Sequence, residues 1–132
     1  MNKRVALFGG TFDPIHLGHL RLALAASREC ELDQLIIMPN YISPFKTDRK
    51  VTPGELRCRM AETLTHYDPA LTVSRYEIRR AQPSYTFDTL CHFREELGIT
   101  PAFLIGFDSV MTIDTWYRGP ELIRSFPLIT GR

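Results

Sequence analysis

A single α/β domain built on a parallel sheet is what this sequence predicts, from three observations. Short apolar runs of strand length recur along the chain, amphipathic stretches of helix length lie between them, and the two alternate throughout. The first run is Val5 to Phe8. A helical pattern follows, with Leu17, Leu20 and Leu24 at helical spacing. Leu35 to Met38 reads as the second strand. The next helix carries Leu56, Met60 and Leu64, and the Thr52-Pro53 pair before it suggests a cap residue ahead of a proline in the first helical position. Leu71 to Tyr76 reads as the third strand, and Leu90, Phe93 and Leu97 mark a third helix that Gly98 stops. Ala102 to Ile105 and Leu128 to Ile129 complete five strands. Several runs are apolar without a break, as strands covered on both faces are. The architecture expected is a Rossmann-like, doubly wound parallel sheet with helices on both faces.

Composition sets the frame for function. The chain has 132 residues, 44% of them hydrophobic, enough for one domain with a real core. Sixteen basic residues against fifteen acidic ones leave a net charge of +1, so no overall field draws nucleic acid or an anionic membrane. Any phosphate site must be local. Cys30, Cys58 and Cys91 are scattered and odd in number, which suits reduced thiols and argues against a zinc site. No signal peptide and no membrane-spanning run is visible, so a cytoplasmic protein is expected.

The densest signal is Gly9 to His19, GGTFDPIHLGH, between the first strand and the first helix. Two glycines after a strand allow a sharp turn and a close approach of a ligand to the backbone. The helix that follows offers unpaired N–H groups and the positive end of its dipole, a seat for an anion. His16 and His19, three apart, share one face of its first turn. The dipole favours neutral imidazoles and a bound phosphate favours protonated ones, so the pair is expected to become good donors chiefly when an anion is present. Neither a Walker loop nor a dinucleotide fingerprint occurs. The proline-rich PNYISPFKTDRKVTP loop leaves the second strand at the same sheet edge, where ligands of such sheets bind.

These residues resemble the signature of the HxGH nucleotidyltransferases, and among them the bacterial nicotinate mononucleotide adenylyltransferases. Three further stretches are similar to that family: PNYISPFK, PSYTFDTL at 83–90, and IGFDSVMTIDTWYR at 105–118. The resemblance implies transfer of AMP from ATP to nicotinate mononucleotide, with Mg2+ accompanying the ATP and with small molecules rather than nucleic acid or membrane as partners. It implies His16 and His19 as catalytic residues. Gly9, Gly10, Thr11, Phe12, Lys46, Gly106 and Asp108 would bind the nucleotide; Tyr85, Thr86, Trp116 and Tyr117 would bind the mononucleotide, with the Trp116 indole on the pyridine ring. No protein metal site is implied, and oligomeric state is open.

Two departures from the family pattern stand out. Phe45 occupies the place of a usual histidine, and the ISSTxxR segment with which the family grips ATP phosphates is not found, so residues 1–132 read as a nucleotidyltransferase domain lacking the family's C-terminal portion. A degenerate nucleotide-binding module and a phosphopantetheine-type adenylyltransferase remain as alternatives.

Overall fold

The computed structural model describes residues 3–42 and 51–131. Five strands form one sheet: β1 (Val5–Gly10), β2 (Gln34–Pro39), β3 (Leu71–Val73), β4 (Ala102–Ile105) and β5 (Leu128–Thr130). Their order is β3-β2-β1-β4-β5, and every pairing is parallel. The helices are α1 (Leu17–Glu29), α2 (Gly54–Glu62), α3 (Tyr76–Arg80), α4 (Thr86–Leu97), α5 (Phe107–Val110) and α6 (Gly119–Ser125). Short 3-10 turns cover Thr63–Tyr67 and Ile113–Thr115.

Strand residues alternate between two cores. Leu7, Ile36, Met38, Phe103 and Ile105 face one side, where Phe87 and Leu90 of α4 and Leu122 of α6 pack. Phe8, Leu35, Ile37 and Leu104 face the other, against Leu20, Ala23 and Ala26 of α1 and Ala61 of α2. Both sheet faces are therefore covered, and the unbroken apolar runs have their explanation.

Chain order fixes where a ligand can enter. From β1 the chain moves outward to β2 and β3, then returns to β4 on the opposite side of β1. Loops leaving the carboxyl ends of β1 and β4 diverge there and open a crevice, the switch point at which such sheets bind ligands.

Several local expectations are corrected. Gly9 and Gly10 do not turn the chain; both lie in β1, paired with Met38 and Pro39. The turn comes two residues later, at Phe12 with φ 49. Thr52 does not cap α2. Pro53 takes the N-cap position without a side-chain bond, while the Thr52 N–H goes to Asp13 Oδ2 at 3.2 Å and its carbonyl to Arg57. The third strand ends at Val73, because the Ser74 hydroxyl accepts the Tyr76 N–H and starts α3. Leu17 and Leu56 are exposed, at 66% and 46%, and α2 buries Arg57, Cys58 and Ala61 instead.

Helices α5 and α6 are not legible as periodic segments. Each has seven residues or fewer, and α6 begins with Gly119-Pro120, which reads as a breaker. Gly119 is there for space: a Cβ would strike the Ile113 carbonyl oxygen. The three cysteines are free thiols, as expected.

Candidate active site

His16 is the N-cap of α1, in extended conformation. Its Nδ1 accepts the Gly18 N–H at 3.0 Å, and His19 Nδ1 accepts the His16 N–H, also at 3.0 Å. Each imidazole thus satisfies one of the amides a helix start leaves unpaired. The rings stack, with centroids 3.8 Å apart and planes at 27°. Gly18 makes this possible, since a Cβ there would lie 2.9 Å from His16 Cε1.

This bonding sets which ring nitrogen is free to donate. With Nδ1 engaged as an acceptor, the neutral ring carries its proton on Nε2, the atom turned away from the backbone. Both rings can therefore donate from Nε2 without being protonated first. Burial, then the neighbouring His16, holds the His19 pKa below the ordinary histidine value. Adding a proton to Nδ1 would also break the cap.

Electrostatics favour an anion at this point. The first turn of α1 holds no acidic residue, whereas the first turns of α2, α3, α4, α5 and α6 each hold one: Glu55, Glu77, Asp88, Asp108 and Glu121. Nothing acidic in that turn offsets the positive end of the dipole.

The remaining residues expected to bind nucleotide frame the same edge. Gly9 is exposed at the end of β1, and a Cβ on it would meet only Phe103 at 3.8 Å among the described residues. Gly10 is tighter, since a Cβ on it would lie 3.1 Å from the Phe12 ring. Thr11 is exposed, while the Phe12 ring is buried, edge-on to Phe8 and to His19 at 5.2 and 5.0 Å between centroids. Only the Phe12 backbone is left for a ligand. At the end of β4, Gly106 has open space where a Cβ would be, and Asp108 is exposed. Lys46 and Phe45 lie outside the described residues.

The second group also comes together. Thr86 opens α4 and shares a cavity of about 20 Å3 with Gly9, Met38, Glu77, Thr89 and Phe103, room for one water. Tyr85 stacks on Tyr117 at 4.3 Å, both rings exposed. Trp116 is half-buried and edge-on to Phe103 at 6.1 Å, so part of its surface is committed to the core. Phe103 is thus the floor shared by Gly9, Thr86 and Trp116.

Two buried polar residues near this edge have no sequence signal. Glu77 is buried, and the Thr89 hydroxyl donates to its Oε2 at 2.7 Å, joining α3 to α4. Burial raises its pKa against the opposing pull of that hydrogen bond. Arg57 is 1% exposed, and its hydrogen bonds among the described residues go to backbone carbonyls. An arginine among the polar residues of a helix looks solvated until the fold tucks it under. A larger groove of about 710 Å3 beside β3, lined by Arg79, Arg80 and His92 among others, contains none of the residues expected to bind.

Comparison with known proteins decides the family, because the cytidylyltransferase-like family model matches residues 7–132. The chain belongs to the cytidylyltransferase-like family. A relative from Aeromonas salmonicida, named "Probable nicotinate-nucleotide adenylyltransferase", is 42% identical over 120 residues, covering 90% of this chain and 56% of its own length. One of the same name from Cellvibrio japonicus is 38% identical over 131 residues, covering 98% and 62%. The chain therefore spans less than two thirds of the length of these relatives. Among solved structures, the Plasmodium falciparum nicotinic acid mononucleotide adenylyltransferase complexed with NaAD superposes with a TM-score of 0.76 at 18% identity, over 98% of this chain and 76% of that one. The same protein complexed with APC gives 0.73 at 18%, over 98% and 75%. At that identity the superposition establishes the shared fold. Within this cytidylyltransferase-like chain, the histidine pair, the strand-end glycines and the Thr86 cavity occupy the carboxyl edge of the sheet, where the fold binds ligands.

Proposed function

We propose that the chain is an adenylyltransferase that moves AMP from ATP to nicotinate mononucleotide, giving deamido-NAD and pyrophosphate, as a cytoplasmic step of NAD biosynthesis. The observation that carries it is the stacked His16–His19 pair at an acid-free helix start, beside Gly9 and Gly10 and across the crevice from Gly106. Relatives named for this activity and the neighbour complexed with NaAD support the choice of substrate class.

The chemistry asks little of a general base. The mononucleotide phosphate is ionised at neutral pH; its oxygen attacks the α-phosphorus of ATP, the bond to the β-phosphate bridging oxygen breaks, and pyrophosphate leaves with the electron pair. Charge accumulates on the phosphoryl oxygens. The two Nε2–H groups donate to those oxygens, already aimed by their bonds at Nδ1. Gly9, Gly10, Thr11 and Phe12 present backbone to the nucleotide, and Gly106 and Asp108 close its other side, with the Asp108 carboxylate facing a ribose hydroxyl. Lys46 would add a phosphate contact. Tyr85, Thr86, Trp116 and Tyr117 hold the mononucleotide, Trp116 by its open face on the pyridine ring.

Among the described residues no group of three or more His, Cys, Asp and Glu side chains is placed to hold a metal. Mg2+ would be carried on the triphosphate, the usual manner of its binding, where it would neutralise phosphate charge.

The test is pyrophosphate release from ATP plus nicotinate mononucleotide, by this chain and by its His16→Ala and His19→Ala variants. Turnover that falls about a hundredfold or more in either variant is expected. Mononucleotide binding without turnover in the unaltered chain would support the non-catalytic module, and turnover with phosphopantetheine in its place would support the other adenylyltransferase type.

A further inference from the structure

Arg57 lies on α2, outside the set of residues expected to bind ligand, and its buried guanidinium bonds the loops that follow β1 and β2. Nε donates to the Thr52 carbonyl at 2.9 Å, and Nη1 donates to the carbonyls of Thr11 at 2.8 Å and Asn40 at 2.9 Å. Thr11 follows β1 and Asn40 follows β2, so one group pins the exits of the two adjacent strands. The Asn40 N–H in turn donates to the Gly10 carbonyl at 2.9 Å.

A buried cation hydrogen-bonded to neutral carbonyls costs desolvation that packing alone does not require. Burial accordingly lowers its pKa, with the Asp13 carboxylate the chief influence in the other direction. A methionine would fill the same space without that cost, so its presence calls for a task only the fork can do. The carbonyl it holds belongs to the residue before Phe12. Phe12 sits at φ 49, the left-handed region a phenylalanine disfavours, and its ring stands edge-on to His19 at 5.0 Å. His19 in turn holds the His16 N–H and stacks on the His16 ring. Each contact in this series touches the next.

We propose that Arg57 is a positioning residue for the histidine pair: by fixing the Thr11 carbonyl it holds Phe12 in its left-handed turn, and Phe12 fixes the His19 ring from which both Nε2–H donors are aimed. The inference rests on the proposed adenylyl transfer for its effect on rate, but not for its effect on the rings.

The experiment therefore reads both. In 15N-histidine-labelled protein, long-range 1H–15N spectra of the unaltered chain, Arg57→Met and Arg57→Lys report the tautomer and environment of His16 and His19, and pyrophosphate release is measured alongside. The unaltered chain shows the Nε2–H tautomer for both. In Arg57→Met the His19 signals shift and tautomers mix, and kcat falls about a hundredfold with the KM for mononucleotide unchanged, the signature of misaimed donors. Arg57→Lys, which keeps the charge but not the fork, leaves His19 displaced. His19 signals unchanged in a folded Arg57→Met protein, or fully restored by lysine, would overturn the proposal. Should Arg57→Met fail to fold, Phe12→Leu carries the test, since it leaves the three arginine bonds in place: it must shift His19, and an unshifted His19 overturns the proposal. Absent turnover in the unaltered chain would count against the adenylyltransferase reading alone.

Discussion

A single methyl group at position 18 would undo the arrangement of the imidazoles. The Cβ of Gly18→Ala would lie 2.9 Å from His16 Cε1, so the ring must swing off the Gly18 N–H that it now caps. Loss of an N-cap costs about 1 kcal/mol, and the variant should show that in its urea midpoint together with a drop of about tenfold or more in pyrophosphate release. Unchanged release would mean that the cap geometry does not aim the donors. Glu77 makes a second prediction, on pH. Its folded pKa is raised, so the folded state binds its proton more tightly than the unfolded state does. Stability from this group is full at low pH and declines as pH rises from the ordinary glutamate value through the folded one. Glu77→Gln should therefore flatten the fall in urea midpoint over that window relative to the unaltered chain. A difference between the two proteins that is constant with pH would show that the carboxyl binds its proton no more tightly in the fold than in the unfolded chain.

At the scale of the element, the strand ends differ in what their glycines do. Gly10 is held by sterics against Phe12, whereas Gly106, φ −66, stands where β4 leads into α5, and among the described residues nothing comes within 4 Å of the place its Cβ would take. Gly106→Ala should leave the stability within about 1 kcal/mol of the unaltered protein, measured by urea unfolding, and still weaken nucleotide binding, measured by calorimetry. Equal binding would place the nucleotide elsewhere along the edge. Elements also show what sequence reveals and what it hides. All five strands are legible because each holds a short apolar run that packs into one core or both, and Gly98 ends α4 in the left-handed conformation its identity suggests. The short α3, α5 and α6 are not, since fewer than eight residues give no period to detect. Apolar spacing misjudges α2, where Leu56 is exposed and Arg57 buried, because three carbonyls from two loops gather under the helix and only the tertiary fold brings them there.

For the molecule as a whole, the doubly wound order places β1 and β4 side by side and lets two distant stretches, residues 9–19 and 105–118, meet at one crevice. Sequence motifs name most of the residues on that rim. They do not say which atoms face the ligand: the bonding of both Nδ1 atoms, the burial of the Phe12 ring and the half-commitment of Trp116 to the core are products of packing. Function then turns on whether the paired imidazoles seat the anionic oxygens of a triphosphate. Calorimetric titration of α,β-methylene-ATP with Mg2+ into this chain and into a His16→Ala/His19→Ala double variant decides this without requiring turnover. Two lost hydrogen bonds to a charged group should weaken binding by about a hundredfold or more; the same affinity in both proteins would show that the triphosphate sits elsewhere.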